Sequence, residues 1–220
     1  MQAYDAAMPE TLPITAVLWD FGGVIVSSPF DAFAEYEARR GLPVGFIRSV
    51  NAANHHANAW ARLERSDITV DEFDAAFAAE SEHLGHRVRG ADVLALLEGE
   101  IRPEMVDLLD RVNAAGFRTA CLTNNITRSG TSARDAAVSD VMRRFELVVE
   151  SSKVGVRKPE PRFYEVACKL LGVEPAACLF LDDLGINLKP AAAMGMRTIK
   201  VVSARQALDE LSAILGLTLG

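Results

Sequence analysis

The stretch Ala16-Val17-Leu18-Trp19-Asp20-Phe21-Gly22-Gly23-Val24-Ile25 decides how the rest of the chain is interpreted. Four apolar residues precede a single carboxylate, Asp20, and two glycines follow shortly after it. This pattern predicts a buried strand whose C-terminal end opens into a tight loop. Ligands of open α/β sheets bind just outside the carboxyl ends of the strands, so Asp20 stands where chemistry is expected. The alternative is an aspartate that only caps the following segment.

Length and composition restrict the class of protein. The chain has 220 residues, enough for one large domain or for a core that carries a smaller inserted domain. Half of the residues are hydrophobic and 24% are charged, as in ordinary soluble globular proteins. The formal net charge of -7 argues against a nucleic-acid partner, because phosphate backbones are bound by clustered Lys and Arg.

The cysteines and the N-terminal segment bear on the cellular compartment. Cys121, Cys168 and Cys178 are widely separated and form no CxxC pair, which favours buried free thiols in a reducing cytosol. Residues 1–13 lack the basic start and long apolar run of a signal peptide, and no stretch is long enough to span a bilayer. We therefore expect a loosely ordered tail at 1–13, a cytoplasmic location and no membrane partner.

Two kinds of pattern follow the first strand. Residues 29–98 are predicted to be helical, with Thr69 and Glu72 as the capping box of one helix. From Arg102 onward strands alternate with helices, which predicts right-handed βαβ crossovers and a parallel sheet covered on both faces. The predicted strands are 118–123, 147–149, 178–181 and 198–202; the predicted helices are 103–115, 161–171 and 188–194; and the polar stretch 126–140 is predicted to be a connection.

Polar residues end three of the predicted strands. They are Asp20, the pair Thr123-Asn124 and the pair Asp182-Asp183, and Lys158 lies in a loop just before a helix. Parallel strands bring their C-terminal ends to one edge, so these groups can converge on a shared site. Mg²⁺, which prefers oxygen ligands, would relieve the repulsion between the carboxylates. Taken singly, each group has an alternative as a helix cap, a turn or a solvated lysine.

Four segments carry a resemblance to a known family. Asp20-Phe21-Gly22-Gly23-Val24, Leu122-Thr123-Asn124, Lys158-Pro159 and Leu181-Asp182-Asp183 are similar, in order, to the four motifs of haloacid-dehalogenase-superfamily hydrolases. Segments 150–161 and 180–189 resemble the phosphatase-like domains fused to soluble epoxide hydrolase and to some acyl-CoA dehydrogenases. The resemblance is specific from residue 14 to about 205, except in the helical block, where it is limited to residues 64–68.

The resemblance implies a fold and a set of site residues. The fold is α/β, with a Rossmann-like core (residues 14–28 and 99–220), a parallel sheet in the order 3-2-1-4-5 and an inserted α-helical cap (29–98). The implied catalytic residues are Asp20 as nucleophile, Lys158 and Thr123. The implied phosphate and substrate contacts are Phe21, Gly22, Thr123, Asn124 and Lys158, with His55 and Trp60 from the cap; the implied Mg²⁺ ligands are Asp20, the Gly22 carbonyl, Asp183 and, through a water, Asp182.

One position departs from the family pattern. The aspartate that usually follows the nucleophile by two residues, and that protonates the leaving oxygen, is Gly22 here. Loss of a general acid–base group costs about 10²–10⁴-fold in rate. The sequence suggests a replacement from the cap, where Asn51, Asn54, His55, His56 and Trp60 are predicted to cluster on one helix that faces the core. The alternative is that both histidines are ordinary surface residues.

The expected function is therefore a Mg²⁺-dependent phosphatase that acts on a small phosphorylated metabolite, as a monomer or homodimer. One rival is a metal-independent 2-haloacid dehalogenase, against which the paired acids Asp182 and Asp183 argue, since a second acid there serves a cation. The other rival is a catalytically weak binding or regulatory module with the same fold. Gly22 keeps this second rival open.

Overall fold

A five-stranded parallel sheet forms the centre of the molecule. The computed structural model describes residues 12–126 and 132–218. The strands stand in the order β3-β2-β1-β4-β5, as the resemblance implies, and each pairs in parallel with its neighbours. They are β1 (Ala16–Trp19), β2 (Arg118–Thr123), β3 (Leu147–Glu150), β4 (Cys178–Asp182) and β5 (Arg197–Lys200).

The central strand β1 is fully buried on both faces, which accounts for its unbroken apolar sequence. Successive side chains of a strand point to opposite faces. Val17 and Trp19 accordingly pack into one hydrophobic cluster with helices α6 (Pro103–Ala114) and α11 (Ala204–Leu215). Ala16 and Leu18 pack into a second cluster with α9 (Pro161–Leu171) and α10 (Gly185–Ala193). The sheet is therefore covered by helices on both faces, as predicted.

Most of the helix boundaries in the core agree with the sequence. Pro103 and Pro161 occupy the first turn of α6 and α9, and Gly172 ends α9 in the left-handed conformation, with φ of 66°. Residues 127–131 of the predicted connection at 126–140 lie outside the described residues, and the prediction was wrong from Ala133 onward, where α7 (Ala133–Met142) begins after its N-cap Ser132. Val141 is the one fully buried residue of this helix, and Val138 and Met142 are partly buried beside it, so α7 contributes few side chains to the core.

The segment between β1 and α6 forms a separate helical unit. Its helices are α1 (Phe30–Arg40), α2 (Phe46–Ala52), α3 (Ala59–Glu64), α4 (Val70–His83) and α5 (Gly90–Ala95). Thr69 and Glu72 form the predicted capping box at the start of α4. Phe33, Ile47, Phe73 and Phe77 belong to a third hydrophobic cluster, which lies within this unit. The segment between β1 and α6 is thus helical, as the sequence predicts.

The two connections between the core and the insertion run side by side. The main-chain N–H of Ser27 donates to the carbonyl of Glu100 at 2.8 Å, and the N–H of Glu100 donates to the Ser27 hydroxyl at 2.9 Å. Val26 and Ile101 form an antiparallel bridge just inside this point. The chain therefore leaves and re-enters the core through one narrow, hydrogen-bonded neck.

The prediction that Asn51, Asn54, His55, His56 and Trp60 share one helix was wrong. Asn51 lies in α2, Trp60 lies in α3, and a turn that contains the other three separates the two helices. The buried side chain of Asn58 accounts for this break: it caps α3 by accepting from the N–H of Ala61, and it donates to the carbonyls of Asn51 and Ala53. One amide thus satisfies the end of α2 and the start of α3.

Three further observations concern the remaining predictions. Cys121, Cys168 and Cys178 are buried free thiols, as expected. No helix in the described part of the chain is long and apolar enough to cross a membrane. The expected tail at 1–13 lies almost entirely outside the described residues.

The short helix α8 (Ser151–Val154) follows β3 directly and leads into the loop that carries Lys158.

Candidate active site

The predicted convergence of the strand ends is present. Asp20 follows β1 directly, Thr123 ends β2 and Asp182 ends β4. The register places Trp19 opposite both Cys121 and Leu181, and the N–H of Asp20 donates to the carbonyl of Leu181 at 2.8 Å. These three residues therefore occupy the same edge of the sheet, where α/β proteins bind their ligands.

A buried lysine joins two of the acids. Lys158 is only 1% exposed, and its Nζ lies 2.7 Å from Asp20 Oδ1 and 2.8 Å from Asp182 Oδ2. Burial by itself lowers the pKa of Lys158, but the attraction of Asp182 and Asp20 outweighs it, so the pKa lies above its ordinary value. Lys158 therefore carries a fixed positive charge beside Asp20.

The three acids are close enough to share a cation. One carboxylate oxygen from each of Asp20, Asp182 and Asp183 lies within 4.8 Å of the others. Burial, and next the charge of Asp182, raise the pKa of Asp20 well above its ordinary value against the opposing effect of Lys158. The same two causes raise the pKa of Asp183 to about 6. Three carboxylates against one lysine leave negative charge uncompensated, which fits a divalent cation with oxygen ligands.

Hydrogen-bond donors surround the carboxylate of Asp182. Asp182 is fully buried, and besides Lys158 it accepts from Asn187 Nδ2 at 3.0 and 3.1 Å and from the N–H of Leu184 at 2.8 Å. The Tyr164 hydroxyl donates to the carbonyl of Asn187 at 2.7 Å and so holds the first turn of α10. Sequence reasoning missed Asn187, although its position five residues after Asp182 in the next helix was a usable signal.

The glycine loop after Asp20 makes room for Asp183. Gly23 has φ of +76°, and a methyl group there would lie 2.2 Å from Asp183 Oδ2. Arg102 Nη1 donates to the carbonyls of Gly23 and Val24 at 3.2 and 3.4 Å and fixes the loop from the other side. Gly22, by contrast, is exposed, and a side chain there would meet nothing within 4 Å. The loop is therefore packed against Asp183 at Gly23 and open at Gly22.

The neutral residues of the predicted site have separate tasks. The Phe21 side chain belongs to the hydrophobic core, and its N–H donates to Asp20 Oδ1 at 2.6 Å. Thr123 is 6% exposed at the end of β2. The Asn124 side chain is bonded to the main chain of Lys158, accepting from its N–H and donating to its carbonyl, both at 2.9 Å. Any contact of Asn124 with a ligand would therefore come from its main chain.

The predicted cap residues approach the site indirectly. The Trp60 indole N–H donates to Glu64 Oε1 at 2.9 Å, and its ring packs edge-on against Phe73 at 5.4 Å. The His55 ring lies 3.9 Å from the His56 ring, while the His55 carbonyl accepts from Arg157. Within the described residues neither Trp60 nor His55 contacts the three acids by a side-chain hydrogen bond or ion pair.

Sequence reasoning also missed a buried ion pair between the insertion and the core. Glu64, at the end of α3, pairs with Arg157, the residue before Lys158. Both side chains are about nine-tenths buried. The signals were that residue 64 begins the one segment of the insertion with a family resemblance and that Arg157 adjoins the predicted lysine.

The fold and this charge cluster define a class: a Rossmann-like protein with a buried aspartate directly after the first strand and a helical insertion behind it. A protein-family model described as haloacid dehalogenase-like hydrolase matches residues 14–195. The chain therefore belongs to the haloacid dehalogenase-like hydrolases.

Three curated proteins contain a region similar to this chain. Acyl-CoA dehydrogenase family member 10 of Mus musculus is 34% identical, and the match covers 93% of this chain and 19% of the relative. Bifunctional epoxide hydrolase 2 of Sus scrofa is 28% identical, and the match covers 94% of this chain and 40% of the relative. The chain thus spans well under half of these two relatives. Phosphatase MT3486 of Mycobacterium tuberculosis is 31% identical over 90% of this chain and 92% of its own length.

Two solved structures share the fold. A haloacid dehalogenase family enzyme of Bacteroides thetaiotaomicron, in complex with magnesium and inorganic phosphate, has a TM-score of 0.54 at 21% identity, covering 84% of this chain and 93% of that one. The L-2-haloacid dehalogenase of Xanthobacter autotrophicus has a TM-score of 0.57 at 20% identity, covering 91% and 83%. At these identities the likeness supports the fold alone.

Proposed function

We propose that the protein is a Mg²⁺-dependent phosphatase that hydrolyses a small phosphorylated metabolite through an aspartyl phosphate on Asp20. The observation that carries the proposal is the buried Lys158 ammonium, shared between Asp20 at 2.7 Å and Asp182 at 2.8 Å beside a third acid. The phosphatase from Mycobacterium tuberculosis, which this chain matches over nearly its full length, supports the same reaction class.

The donor set suits Mg²⁺, and the residues that would hold it are Asp20, the Gly22 carbonyl and Asp183. Asp182 is the less suitable direct ligand because Lys158, Asn187 and the Leu184 N–H already occupy both of its oxygens. We assign it a water-mediated part. When bound, the ion supplies positive charge that screens the repulsion between the phosphate and the carboxylates.

The residues of the chain divide the reaction into two displacements. The contacts of Asp20 with Lys158 and with the Phe21 N–H both use Oδ1, so among the described residues Oδ2 is left for attack. Its attack on phosphorus forms the aspartyl phosphate and breaks the ester bond, and the leaving oxygen takes up a proton. Water then attacks the same phosphorus, which releases phosphate and restores Asp20. Lys158 and Thr123 hold the phosphoryl oxygens during both displacements.

The proton for the leaving oxygen has no donor at position 22. We propose His55 for this role, because Arg157 Nη1 donates to its main-chain carbonyl at 3.0 Å. This bond keeps the turn between α2 and α3 beside the loop that carries Lys158, here called the lysine loop. The pKa of an ordinary histidine suits proton transfer near neutrality. Unchanged turnover of alkyl phosphates by a His55→Ala variant would remove His55 from the mechanism.

We further propose that residues 29–98 act as a cap that selects the substrate. The helices of this segment have their own hydrophobic cluster and meet the core beside the lysine loop, through the Glu64–Arg157 ion pair. A cap in this position would close over a substrate bound at the strand ends and shield the phosphoryl group from water.

Gly22 favours one alternative, a binding or regulatory module with little turnover. The test is hydrolysis of p-nitrophenyl phosphate and of alkyl phosphates with and without Mg²⁺, with Asp20→Asn as the control. Nitrophenolate leaves without help from an acid, so this ester reports on the nucleophile, the metal and the phosphate-binding residues without the leaving-group acid. We expect Mg²⁺-dependent activity that Asp20→Asn abolishes. Absence of turnover on every ester, with phosphate still bound, would favour the module.

A halide-release assay separates the dehalogenase alternative. A dehalogenase would release halide from a 2-haloacid without Mg²⁺, whereas the proposed phosphatase would leave that substrate unchanged. Asp183 disfavours the dehalogenase, because a second acid next to Asp182 serves a cation rather than a halide.

A further inference from the structure

The side chain of Asn124, the residue just after β2, is bonded to the main chain of Lys158. The amide oxygen of Asn124 accepts from the N–H of Lys158, and its amide nitrogen donates to the carbonyl of the same residue, both at 2.9 Å. A planar amide bonded to both polar groups of one residue fixes the position of that residue's main chain. Asn124 therefore fixes the main chain from which the Lys158 ammonium reaches Asp20 and Asp182.

The second hydrogen of this amide points to the helical insertion. Asn124 Nδ2 donates to Glu64 Oε2 at 3.1 Å, and a primary amide has two hydrogens, so its donor capacity is complete. Glu64 Oε2 also pairs with Arg157 Nε, on the residue just before Lys158. Glu64 is thus attached to both groups that determine where Lys158 lies.

The Glu64 carboxylate is itself fully engaged and out of solvent. It is 6% exposed, its Oε1 accepts from the Trp60 indole at 2.9 Å, and its charge is balanced by Arg157. A buried carboxylate is tolerated when it is paired and hydrogen-bonded, and removal of it leaves Arg157 buried without its partner. The contacts of Glu64 with Asn124 and Arg157 join α3 to the core, so they require α3 to be seated on the core.

We propose that Glu64 is a positioning residue, which couples the seating of the helical insertion on the core to the placement of the Lys158 ammonium through Asn124 and Arg157. The inference rests on the proposed function and deepens it. A phosphoryl group meets a correctly placed lysine only when the insertion is docked. Unseating of α3 frees Asn124 and Arg157 together and loosens the lysine loop.

The buried carboxylate of Glu37 provides a matched control. Glu37 is 3% exposed and accepts from the N–H groups of Gly45 and Ile47 at 2.7 and 2.9 Å, and both partners belong to the insertion. Glu37→Gln therefore perturbs the insertion at a comparable buried carboxylate that is bonded to neither Asn124 nor Arg157. It separates general damage to the insertion from the specific coupling to Lys158.

The experiment compares Glu64→Ala, Glu64→Gln and Glu37→Gln in the full chain. We expect kcat for p-nitrophenyl phosphate to fall about ten- to a hundredfold in Glu64→Ala, the range for loss of a buried charged hydrogen bond, with a smaller change in KM. Glu64→Gln keeps an acceptor for Asn124 and recovers part of kcat. Glu37→Gln keeps the kcat of the wild type, and thermal melting verifies that each variant is folded.

A double-mutant cycle tests whether Glu64 and Asn124 act as one unit. If they do, Glu64→Ala combined with Asn124→Ala loses little more kcat than the worse single variant. Losses that multiply, or an equal loss in Glu37→Gln, would overturn the proposal.

Binding of inorganic phosphate in the presence of Mg²⁺, measured by calorimetry, keeps this test separate from the proposed function. If the wild type binds phosphate without hydrolysing any ester, the proposed function fails while the coupling is still decided by phosphate affinity. The coupling predicts weaker binding in Glu64→Ala and unchanged binding in Glu37→Gln. Equal affinity in all three proteins would overturn it, and a wild type that neither hydrolyses an ester nor binds phosphate would overturn both proposals.

Discussion

At the scale of single residues, the site combines one very close contact with one open position. The carboxylate of Asp183 lies against the main chain of Gly23, whereas the adjacent Gly22 faces open space. These neighbouring glycines therefore have opposite tolerance to substitution. The difference provides a direct test of the local geometry.

We predict that Gly23→Ala loses Mg²⁺-dependent activity and stability, whereas Gly22→Ala keeps its stability. The new methyl group at position 23 would lie 2.2 Å from Asp183 Oδ2, and the alanine would have to adopt a backbone φ of +76°. The backbone strain alone is worth about 1 kcal/mol, and displacement of the carboxylate removes a proposed metal ligand. Chemical denaturation and Mg²⁺ titration measure both effects. Equal behaviour of the two variants would contradict this geometry.

The open position at residue 22 allows the usual family acid to be restored. We predict that Gly22→Asp raises kcat on alkyl phosphates about tenfold or more, since a general acid typically contributes about 10²–10⁴-fold. Turnover of p-nitrophenyl phosphate should change little, because its leaving group needs no proton. Gly22→Asn, which has the same shape without the acid, is the control. A gain of equal size on both esters would point to a cause other than proton donation.

The raised pKa of Asp183 predicts how stability depends on pH without metal. Its folded pKa of about 6 lies above the ordinary 3.8, so the folded protein holds the proton more tightly than the unfolded chain. This contribution to stability is therefore complete below about pH 4 and is lost as the pH rises to about 6. Mg²⁺ favours the carboxylate, so it should raise the melting temperature more at about pH 7.5 than at about pH 5.

Asp183→Asn serves as the control for this pH dependence, because it should remove most of the Mg²⁺ effect at the higher pH. A melting-temperature shift with Mg²⁺ that is the same at both pH values would show that protons and the metal do not compete at this carboxylate.

At the scale of elements, the neck between the core and the insertion depends on a glycine. A methyl group on Gly99 would lie 2.5 Å from the carbonyl oxygen of Ser27, in the opposite connection. The side chain of Arg134, in α7, donates to the carbonyl of Gly99. Helix α7, which the sequence did not predict, therefore contacts the connection between the insertion and the core.

We predict that Gly99→Ala lowers the free energy of unfolding by about 1–3 kcal/mol, the usual cost of forcing extra volume into a packed position. Gly185→Ala is the control, because a methyl group there meets nothing within 4 Å. Urea denaturation of the two variants measures the difference. If both variants were equally stable, the two connections would have more freedom than their hydrogen bonds indicate.

The elements also show where sequence patterns are sufficient. The apolar run of β1 and the Thr69–Glu72 capping box are local signals, and both elements are present as predicted. The break between α2 and α3 was missed because it depends on the side chain of Asn58, which bonds forward and backward at once. These side-chain hydrogen bonds leave no trace in the hydrophobic periodicity of the sequence.

At the scale of the whole molecule, topology explains why so much of the site could be predicted. Parallel strands end at one edge, so Asp20, Thr123 and Asp182 had to meet once the sheet was recognised. Glu64 and Arg157 obey no such rule, since they are 93 residues apart and meet only because the insertion folds back onto the core. The grouping of polar residues at the strand ends was therefore visible in the sequence, whereas its connection to the helical insertion was not.

The central claim is that Asp20 carries the phosphoryl group during turnover, and the most direct measurement is chemical trapping of that intermediate. An acyl phosphate is a mixed anhydride, which borohydride reduces, so a phosphorylated aspartate becomes homoserine. We predict that borohydride added during steady-state hydrolysis of p-nitrophenyl phosphate with Mg²⁺ converts Asp20 to homoserine, as peptide mass spectrometry would detect. Hydrolysis that continues while Asp20 is never converted, or conversion of another carboxylate, would contradict the account.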